Sequence, residues 1–378
     1  MRVLITGSNG FIGKNLKLHL SEQNNIEVLC LNRNEDPYDS LRLLRDGDFI
    51  VHLAGVNRPG DAKEFISGNI DLTRSLCEAM SKTGLKISVI YASSIQADKD
   101  SPYGESKRES EKILINYGRE NSASIYLFRL PNVFGKWCDP NYNSVVATFC
   151  YNTAHNLPIR IDDPMSLLEL VYVDDVVGCF SHVIHGNTSI KDARGFELIH
   201  PRYFITVGEL ANQIQVFKKY HATARVDRVG SGLLRALYST YLSYLPPSKF
   251  INKLNVHRDE RGCFIEVIQT LDSGQVSHFT AFPGITRGGH YHHSKTEKFL
   301  VVKGQARFRF RHVITGEIFT YETDHNKFEI VQSVPGWTHD ITNIGDDEML
   351  VMLWANEVFD IDSPDTYSRS LNGKNYEQ

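Results

Sequence analysis

The texture of the chain changes once, near residue 255, and that change constrains the fold more than any single motif. Before it, RVLIT (2–6), IEVLCL (26–31), DFIVHLA (48–54), KISVIYAS (86–93) and SIYLFRL (124–130) read as strands. The stretches 11–23, 62–82 and 104–120 read as helices between them. Apolar strands separated by amphipathic helices imply βαβ units, hence an α/β, Rossmann-type doubly wound parallel sheet with helices on both faces. After the change come only short strands cut by Gly, Pro and Asp turns: CFIEVIQ, VSHFTAF, KFLVVKG, ARFRFRH, EIFTYET, FEIVQSV and MLVMLWA. That pattern predicts an antiparallel all-β barrel or jelly roll. Between the two, 231–252 is helical and aromatic-rich and contains Pro246 and Pro247, so the linker is placed at 243–253. The expected domains are therefore 1–245 and 253–378.

A chain of 378 residues has room for both. Its 41% apolar and 23% charged residues are ordinary for a soluble globular protein. A net charge of −4 offers no basic footprint for nucleic acid. The six cysteines are scattered, with no CxxC pair, which fits reduced thiols in a cytosol. No apolar run is long enough to span a membrane, and no secretory leader pattern opens the chain. A cytoplasmic location is expected.

GSNGFIG (7–13) follows the first strand and opens a helix. Gly7, Gly10 and Gly13 stand at the spacing GxxGxxG, with Ser8, Phe11 and Ile12 between them. Glycines there allow a tight turn, close approach of backbone to a pyrophosphate, and close helix–strand packing. The helix N-terminus then offers its unpaired N–H groups to the phosphates. The second strand ends in Leu31-Asn32-Arg33 with no acid at the place where NAD binders grip the ribose. Arg33 can pair with a 2′-phosphate, so NADPH is the expected cofactor, against the alternative of a solvated arginine on a loop. Arg58 is a second candidate for the phosphate end.

YASSIQA (91–97) ends the fourth strand and SPYGESK (101–107) begins the next helix. Tyr103 and Lys107 are four apart, on one helix face. The Lys107 ammonium is expected to depress the tyrosine pKa, so that Tyr103 acts as general acid toward a carbonyl oxygen during hydride delivery. Ser94, or else Ser93, would hydrogen-bond the same oxygen. With these motifs, residues 1–240 resemble the extended short-chain dehydrogenases/reductases that act on nucleotide sugars. HLAG (52–55), RLPNVFG (129–135) and VYVDDVV (171–177) strengthen the resemblance. It implies that Leu53 and Ala54 join the cofactor site and that Asn132 approaches the sugar nucleotide. Dehydratases of that family carry acidic residues where Ile95 and Gln96 stand here, so reduction of a ketosugar fits better than elimination of water.

Near the C-terminus, Gly284, His290, His292, Glu297 and Gly304 fall at the spacing G-x5-H-x-H-x4-E-x6-G, followed by Pro335, Gly336, His339 and Asn343. Three imidazoles and a carboxylate suit zinc, iron, nickel or manganese. Histidines two apart on a strand point the same way, as convergence of His290 and His292 on one ion requires. Over 255–378 these motifs resemble the cupin family, which implies a metal held by His290, His292, Glu297 and His339. RDERGCFIEV (258–267) and ITRGGHYH (285–292) also resemble dTDP-4-dehydrorhamnose 3,5-epimerases. That second resemblance implies substrate contacts at Arg261, Phe264, Glu266 and Arg287, with His290 as the catalytic base. His290 as a ligand is favoured, which leaves the base among Tyr291, Lys298, His312 or a metal-bound hydroxide.

A reductase fused to such a barrel resembles a family of bifunctional capsular polysaccharide and O-antigen synthesis enzymes. The resemblance implies that the cupin epimerises carbon 3 of a UDP-2-acetamido-2,6-dideoxy-4-ketohexose. The reductase then uses NADPH at carbon 4 to give UDP-N-acetyl-6-deoxy-L-talosamine, a precursor of UDP-N-acetyl-L-fucosamine. It also implies zinc and a homodimer. The alternative is a monofunctional NADP-dependent ketosugar reductase whose cupin is a binding and dimerisation module.

Overall fold

The computed structural model describes residues 1–371, apart from Asn34, Ala222, Ala224, Asn252 and Ser363. The expected linker at 243–253 and the expected domain 253–378 therefore lie partly outside the described residues. The chain divides into two compact units. One comprises Met1–Gln215 with Ser231–Pro246, and the other joins Val216–Gly230 to the chain from Pro247 onward. The single boundary read from sequence thus differs from the observed division. A short strand at Arg225–Val226 pairs with a strand of the C-terminal unit, and this ladder takes 216–230 out of the first unit. No local pattern announces a two-residue strand.

The first unit is built on five strands: β1 Arg2–Thr6, β2 Glu27–Leu31, β3 Phe49–His52, β4 Ser88–Ser94 and β5 Ile125–Leu130. All pair in parallel, in the order β2-β1-β3-β4-β5. The order reverses between β1 and β3, and the crevice beyond the strand ends there is where sheets of this kind take ligands. Helices α1 Phe11–Ser21, α2 Pro37–Leu41, α3 Leu72–Thr83 and α4 Pro102–Asn121 follow the strands. Leu4, Ile50, Val89, Tyr91 and Leu127 bury one face of the sheet under Leu76 and Met80 of α3 and Leu114 of α4. Each such aliphatic side chain contributes roughly 1.5–3 kcal/mol on burial. The opposite face carries Val3 and Ile5, with Leu16 and Leu20 of α1 also buried. A separate small sheet, β6 Asn132–Phe134, β7 Leu167–Tyr172 and β8 Tyr203–Thr206, completes the unit with helices α5 Val145–Ala154, α6 Val173–Ile184, α8 Gly232–Ser243 and the part of α7 Val207–His221 up to Gln215.

The second unit is mostly β. Its strands are β9 Arg225–Val226, β10 Val256–Asp259, β11 Gly262–Thr270, β12 Gln275–Ala281, β13 Thr286–Tyr291, β14 Glu297–Lys303, β15 Gln305–His312, β16 Ile318–Asp324, β17 Ile330–Ser333, β18 Trp337–Asn343, β19 Met349–Ala355 and β20 Tyr367–Ser368. They form two sheets. One runs β10-β11-β12-β19-β14-β17 with β9 on β11, and the other runs β16-β15-β18-β13-β20. A single closed barrel was one expectation. Among the described residues the ladders instead leave two open sheets, because consecutive strands such as β16 and β17 pair in different sheets. Alternate residues of each sheet turn inward: Phe279, Phe299, Val331 and Val351 from one, Phe308, Phe310 and Ile341 from the other.

Candidate functional site

In the first unit the glycine loop is shaped by what a side chain would hit. A Cβ on Gly13 would lie 2.3 Å from the Gly7 carbonyl oxygen, and one on Gly7 would lie 2.7 Å from the Ala54 nitrogen. Gly7 also has φ +70°, a left-handed conformation that glycine adopts freely. The turn closes with Gly10 N–H donating to Gly7 O at 3.0 Å, and α1 starts with no side-chain cap and no acidic residue in its first turn. Its first N–H groups are thus left for an anion.

A cleft of about 490 Å³ opens above this loop. Gly7, Gly10, Phe11, Ile12, Gly13 and Leu53 line it on one side; Ser94, Tyr103, Lys107 and Asn132 line it on the other. Ile95 and Gln96 line it too, where a dehydratase would carry acids. Ser8 is buried beneath, its hydroxyl donating to Asn32 Oδ1 at 3.2 Å. Ala54 N–H donates to Thr6 Oγ1 at 3.1 Å. Arg33 and Arg58 are exposed and, among the described residues, enter no ion pair; neither lines the cleft.

The helix carrying Tyr103 and Lys107 is fixed at its start by Ser101, whose side chain accepts from Gly104 N–H at 3.1 Å, with Pro102 in the first turn. Lys107 is buried, and its ammonium donates to Ala92 O at 3.0 Å. Burial lowers its pKa, while Tyr103 and Glu111 pull it back up. Of the two serines, Ser93 is committed: its hydroxyl donates to Glu111. Ser94 Oγ accepts from Gln96 N–H at 3.1 Å and keeps its own hydrogen for a ligand in the cleft.

Sequence reading missed two features here. Glu111 lies one further turn beyond Lys107 and holds Arg129 in a forked pair at 2.9 and 2.6 Å, tying α4 to β5. The spacing Tyr103, Lys107, Glu111 was a usable signal. Glu35 folds back so that its carboxylate accepts from Asn32 N–H at 2.8 Å, bringing a negative charge to the end of β2. It stands three residues beyond Asn32, outside the position where an acid was sought.

In the second unit, His290 on β13 and His339 on β18 come from one sheet and Glu297 on β14 from the other. Their ligating atoms, with those of His292, lie within 4.8 Å of one another. Gly288 makes this possible. A Cβ there would lie 2.8 Å from the His339 carbonyl oxygen, and the β13–β18 register shifts between Gly288 and His290. Glu297 Oε2 faces His292 Nε2 and His339 Nε2, each at 3.0 Å. Burial would raise the Glu297 carboxyl, but the hydrogen bonds from His292 and His339 hold it well below the usual range. Burial, with the neighbouring His339, pushes His290 down to about 3.

The donor set fits a cation. His292 Nδ1 is hydrogen-bonded to a backbone carbonyl oxygen, Asp365 O, so it carries the ring hydrogen. Its Nε2 then faces the Glu297 carboxylate either with a second ring hydrogen, as in the hydrogen bond just described, or with a lone pair that needs a bound cation between the two. His339 Nδ1 is buried with no partner among the described residues. Phe299 and Phe310 pack near His339 and keep the cluster dry on that side.

The remaining candidates are placed as follows. Arg261 and Arg287 converge on Asp259, at 2.5 and 3.8 Å. Phe264 packs on the apolar core, and Glu266 accepts from Gln269 at 2.9 Å. Lys298 donates to Gln332 at 2.8 Å, while His312 caps a turn by accepting from Thr315 N–H at 3.0 Å.

Residues 3–197 match the NAD dependent epimerase/dehydratase family, and residues 257–367 match the polysaccharide biosynthesis C-terminal domain. The chain belongs to the NAD dependent epimerase/dehydratase family. Membership implies a nicotinamide cofactor. Over its whole length the chain is CapF-like. It is similar to the capsular polysaccharide assembling protein CapF from Staphylococcus aureus, with TM-score 0.90, 42% identity, and coverage of 98% of this chain and 100% of that one. A CapF structure with the inhibitor 3-isopropenyl-tropolone superposes with TM-score 0.84 at 37% identity over the same shares. A Pseudomonas aeruginosa protein named UDP-2-acetamido-2,6-beta-L-arabino-hexul-4-ose reductase is 53% identical, covering 98% of this chain and 99% of its own. Among the described residues no helix is long and apolar enough to cross a membrane.

Proposed function

We propose that the chain is a two-step enzyme on one UDP-2-acetamido-2,6-dideoxy-4-ketohexose. The C-terminal unit, a cupin-like double sheet, epimerises carbon 3. The N-terminal unit reduces the 4-keto group with NADPH to give UDP-N-acetyl-6-deoxy-L-talosamine, en route to UDP-N-acetyl-L-fucosamine for capsule or O-antigen. The chain works as a homodimer in the cytoplasm. The observation that carries this reading is one chain holding both a Ser94–Tyr103–Lys107 cleft over a glycine loop and a buried His3Glu cluster. The names of the Pseudomonas relative and of CapF support the substrate class and the polysaccharide context.

In the first unit, Tyr103 gives its hydroxyl proton to the ketone oxygen, Ser94 orients that oxygen, and the buried Lys107 ammonium stabilises the phenolate left behind. Gly7–Gly13 would hold the cofactor's pyrophosphate, and the cofactor would supply the hydride. Arg33 and Arg58 favour the 2′-phosphate of NADPH. The Glu35 carboxylate acts in the opposite sense, and the ratio of kcat/KM for NADPH and NADH measures which prevails.

In the second unit, His290, His292, Glu297 and His339 hold a divalent ion, zinc. When bound, it supplies positive charge beside a carbonyl oxygen. The inhibitor seen with CapF is consistent with this, since the adjacent oxygens of a tropolone form a chelating pair. Arg261 and Arg287, both drawn to Asp259, can exchange that carboxylate for the anionic nucleotide, with Phe264 and Glu266 on the neighbouring strand. The order of steps follows from chemistry: the ketone acidifies the proton on carbon 3, and its reduction removes that activation.

The Pseudomonas relative is named for reduction alone, which favours a second reading: a reductase whose C-terminal unit only binds and dimerises. His290→Ala separates the two. Under the two-step reading it oxidises NADPH with the pre-epimerised ketosugar but not with the unepimerised one. Equal rates of the variant and the unmodified chain on both sugars would leave only the second reading.

A further inference from the structure

The loop 292–297 carries two of the four clustered side chains, and a residue far along the chain holds it. The N–H groups of His293, Ser294 and Lys295, and the Ser294 hydroxyl, all donate to the Asp365 carboxylate at 2.7–2.9 Å. The Asp365 carbonyl oxygen accepts from His292 Nδ1 at 2.5 Å. One residue therefore fixes both the ring of a candidate ligand and the loop between that ligand and Glu297.

The segment after Asp365 is fastened as well. In β20, Tyr367 pairs with Tyr291 and Ser368 with His290 on β13. Arg369 N–H donates to Gly289 O at 2.9 Å, and the Tyr367 ring stacks on Tyr291. Arg311 donates to Leu371 O at 2.6 Å. His339 has no comparable holder, since its Nδ1 is without a partner among the described residues.

We propose that Asp365 is a positioning residue of the metal centre, and that the strap it begins retains the ion. Its carbonyl sets the tautomer and angle of His292. Its carboxylate sets the loop that spaces His292 from Glu297. The inference rests on the reading that the cluster binds a divalent metal. Partners that orient a ligating histidine commonly matter by about 10–100-fold in metal affinity.

The test uses the full chain loaded with Zn²⁺ and challenged with a chromogenic chelator, alongside NADPH titration of the same samples. Asp365→Asn keeps the side-chain shape but turns an N–H donor toward N–H donors. It should lower Zn²⁺ affinity about 10–100-fold and leave NADPH affinity unchanged. Ser294→Ala removes one of the four donors and should lower Zn²⁺ affinity only about threefold; it decides the matter where Asp365→Asn does not fold. Zinc-release curves of both variants that superimpose on those of the unmodified chain would overturn this proposal alone. NADPH affinity falling in step with Zn²⁺ affinity would also overturn it, because the damage would then be general. An unmodified chain that takes up no Zn²⁺ would overturn it together with the metal reading.

Discussion

Acid should unfold the N-terminal unit through one buried imidazole. His52 ends β3, is 1% exposed, and is held between two threonines. Its Nδ1 lies 2.7 Å from Thr6 Oγ1 and its Nε2 3.0 Å from Thr73 Oγ1. Thr6 Oγ1 already accepts from Leu53 and Ala54 N–H, so its own hydrogen goes to Nδ1. Thr73 donates to Asn69 O at 2.7 Å, so its oxygen accepts the Nε2 hydrogen. Only a neutral ring satisfies this chain of bonds. Burial, reinforced by the charge of Lys107, lowers the His52 pKa from 6.5 to about 3. The unfolded chain then binds the extra proton between those two values and the folded one does not. Stability is at its full value above about pH 6.5 and falls by ~1.4 kcal/mol for each pH unit down to about 3. At about pH 4.5 the loss is roughly 3 kcal/mol. Urea unfolding of the unmodified chain and of His52→Gln at about pH 7.5 and about pH 4.5 isolates this contribution. The variant should be less stable at the higher pH but lose roughly 3 kcal/mol less on acidification. Identical pH dependence in the two proteins would refute the assignment of a neutral, fully bonded His52.

Other predictions concern the same unit. Gly13→Ala pushes a Cβ against the Gly7 carbonyl, so it should cost ~1–3 kcal/mol in denaturant unfolding and abolish NADPH binding by fluorescence titration. Tyr103→Phe should lower kcat about 10²–10⁴-fold while NADPH affinity persists, because only the proton donor is removed. Glu111→Ala removes the forked partner of Arg129, whose side chain is 11% exposed, and leaves it Asp98 alone, so it should cost ~1–3 kcal/mol in thermal unfolding.

What could be read from sequence was what repeats or what stands at fixed local spacing. The five parallel strands and α1, α3 and α4 came from apolar periodicity, and the glycine loop, Tyr103–Lys107 and the four clustered side chains of the second unit from spacing on one loop, helix or strand pair. What was lost depends on contacts between distant segments. The stretch 62–82, expected as one helix, is interrupted: 66–71 is π-helical and the α-helix starts at Leu72. Asn69 turns its amide to Val56 and Ser106 there, and such bonds are invisible to local pattern. Asp365 had no motif at all, since its role appears only when β20 returns to β13. Arg261 and Arg287 were legible as cations, but their common partner Asp259 emerged only from the β10–β11 turn and the neighbouring β13.

The question that matters most is whether carbon 3 is inverted on this chain at all. Incubating the UDP-4-ketosugar with the enzyme in deuterated water, without any nicotinamide, answers it by NMR. Deuterium should enter at carbon 3 at a rate that His290→Ala abolishes. A sugar that stays fully protonated there, while the same preparation turns over NADPH with it, would contradict the two-step account.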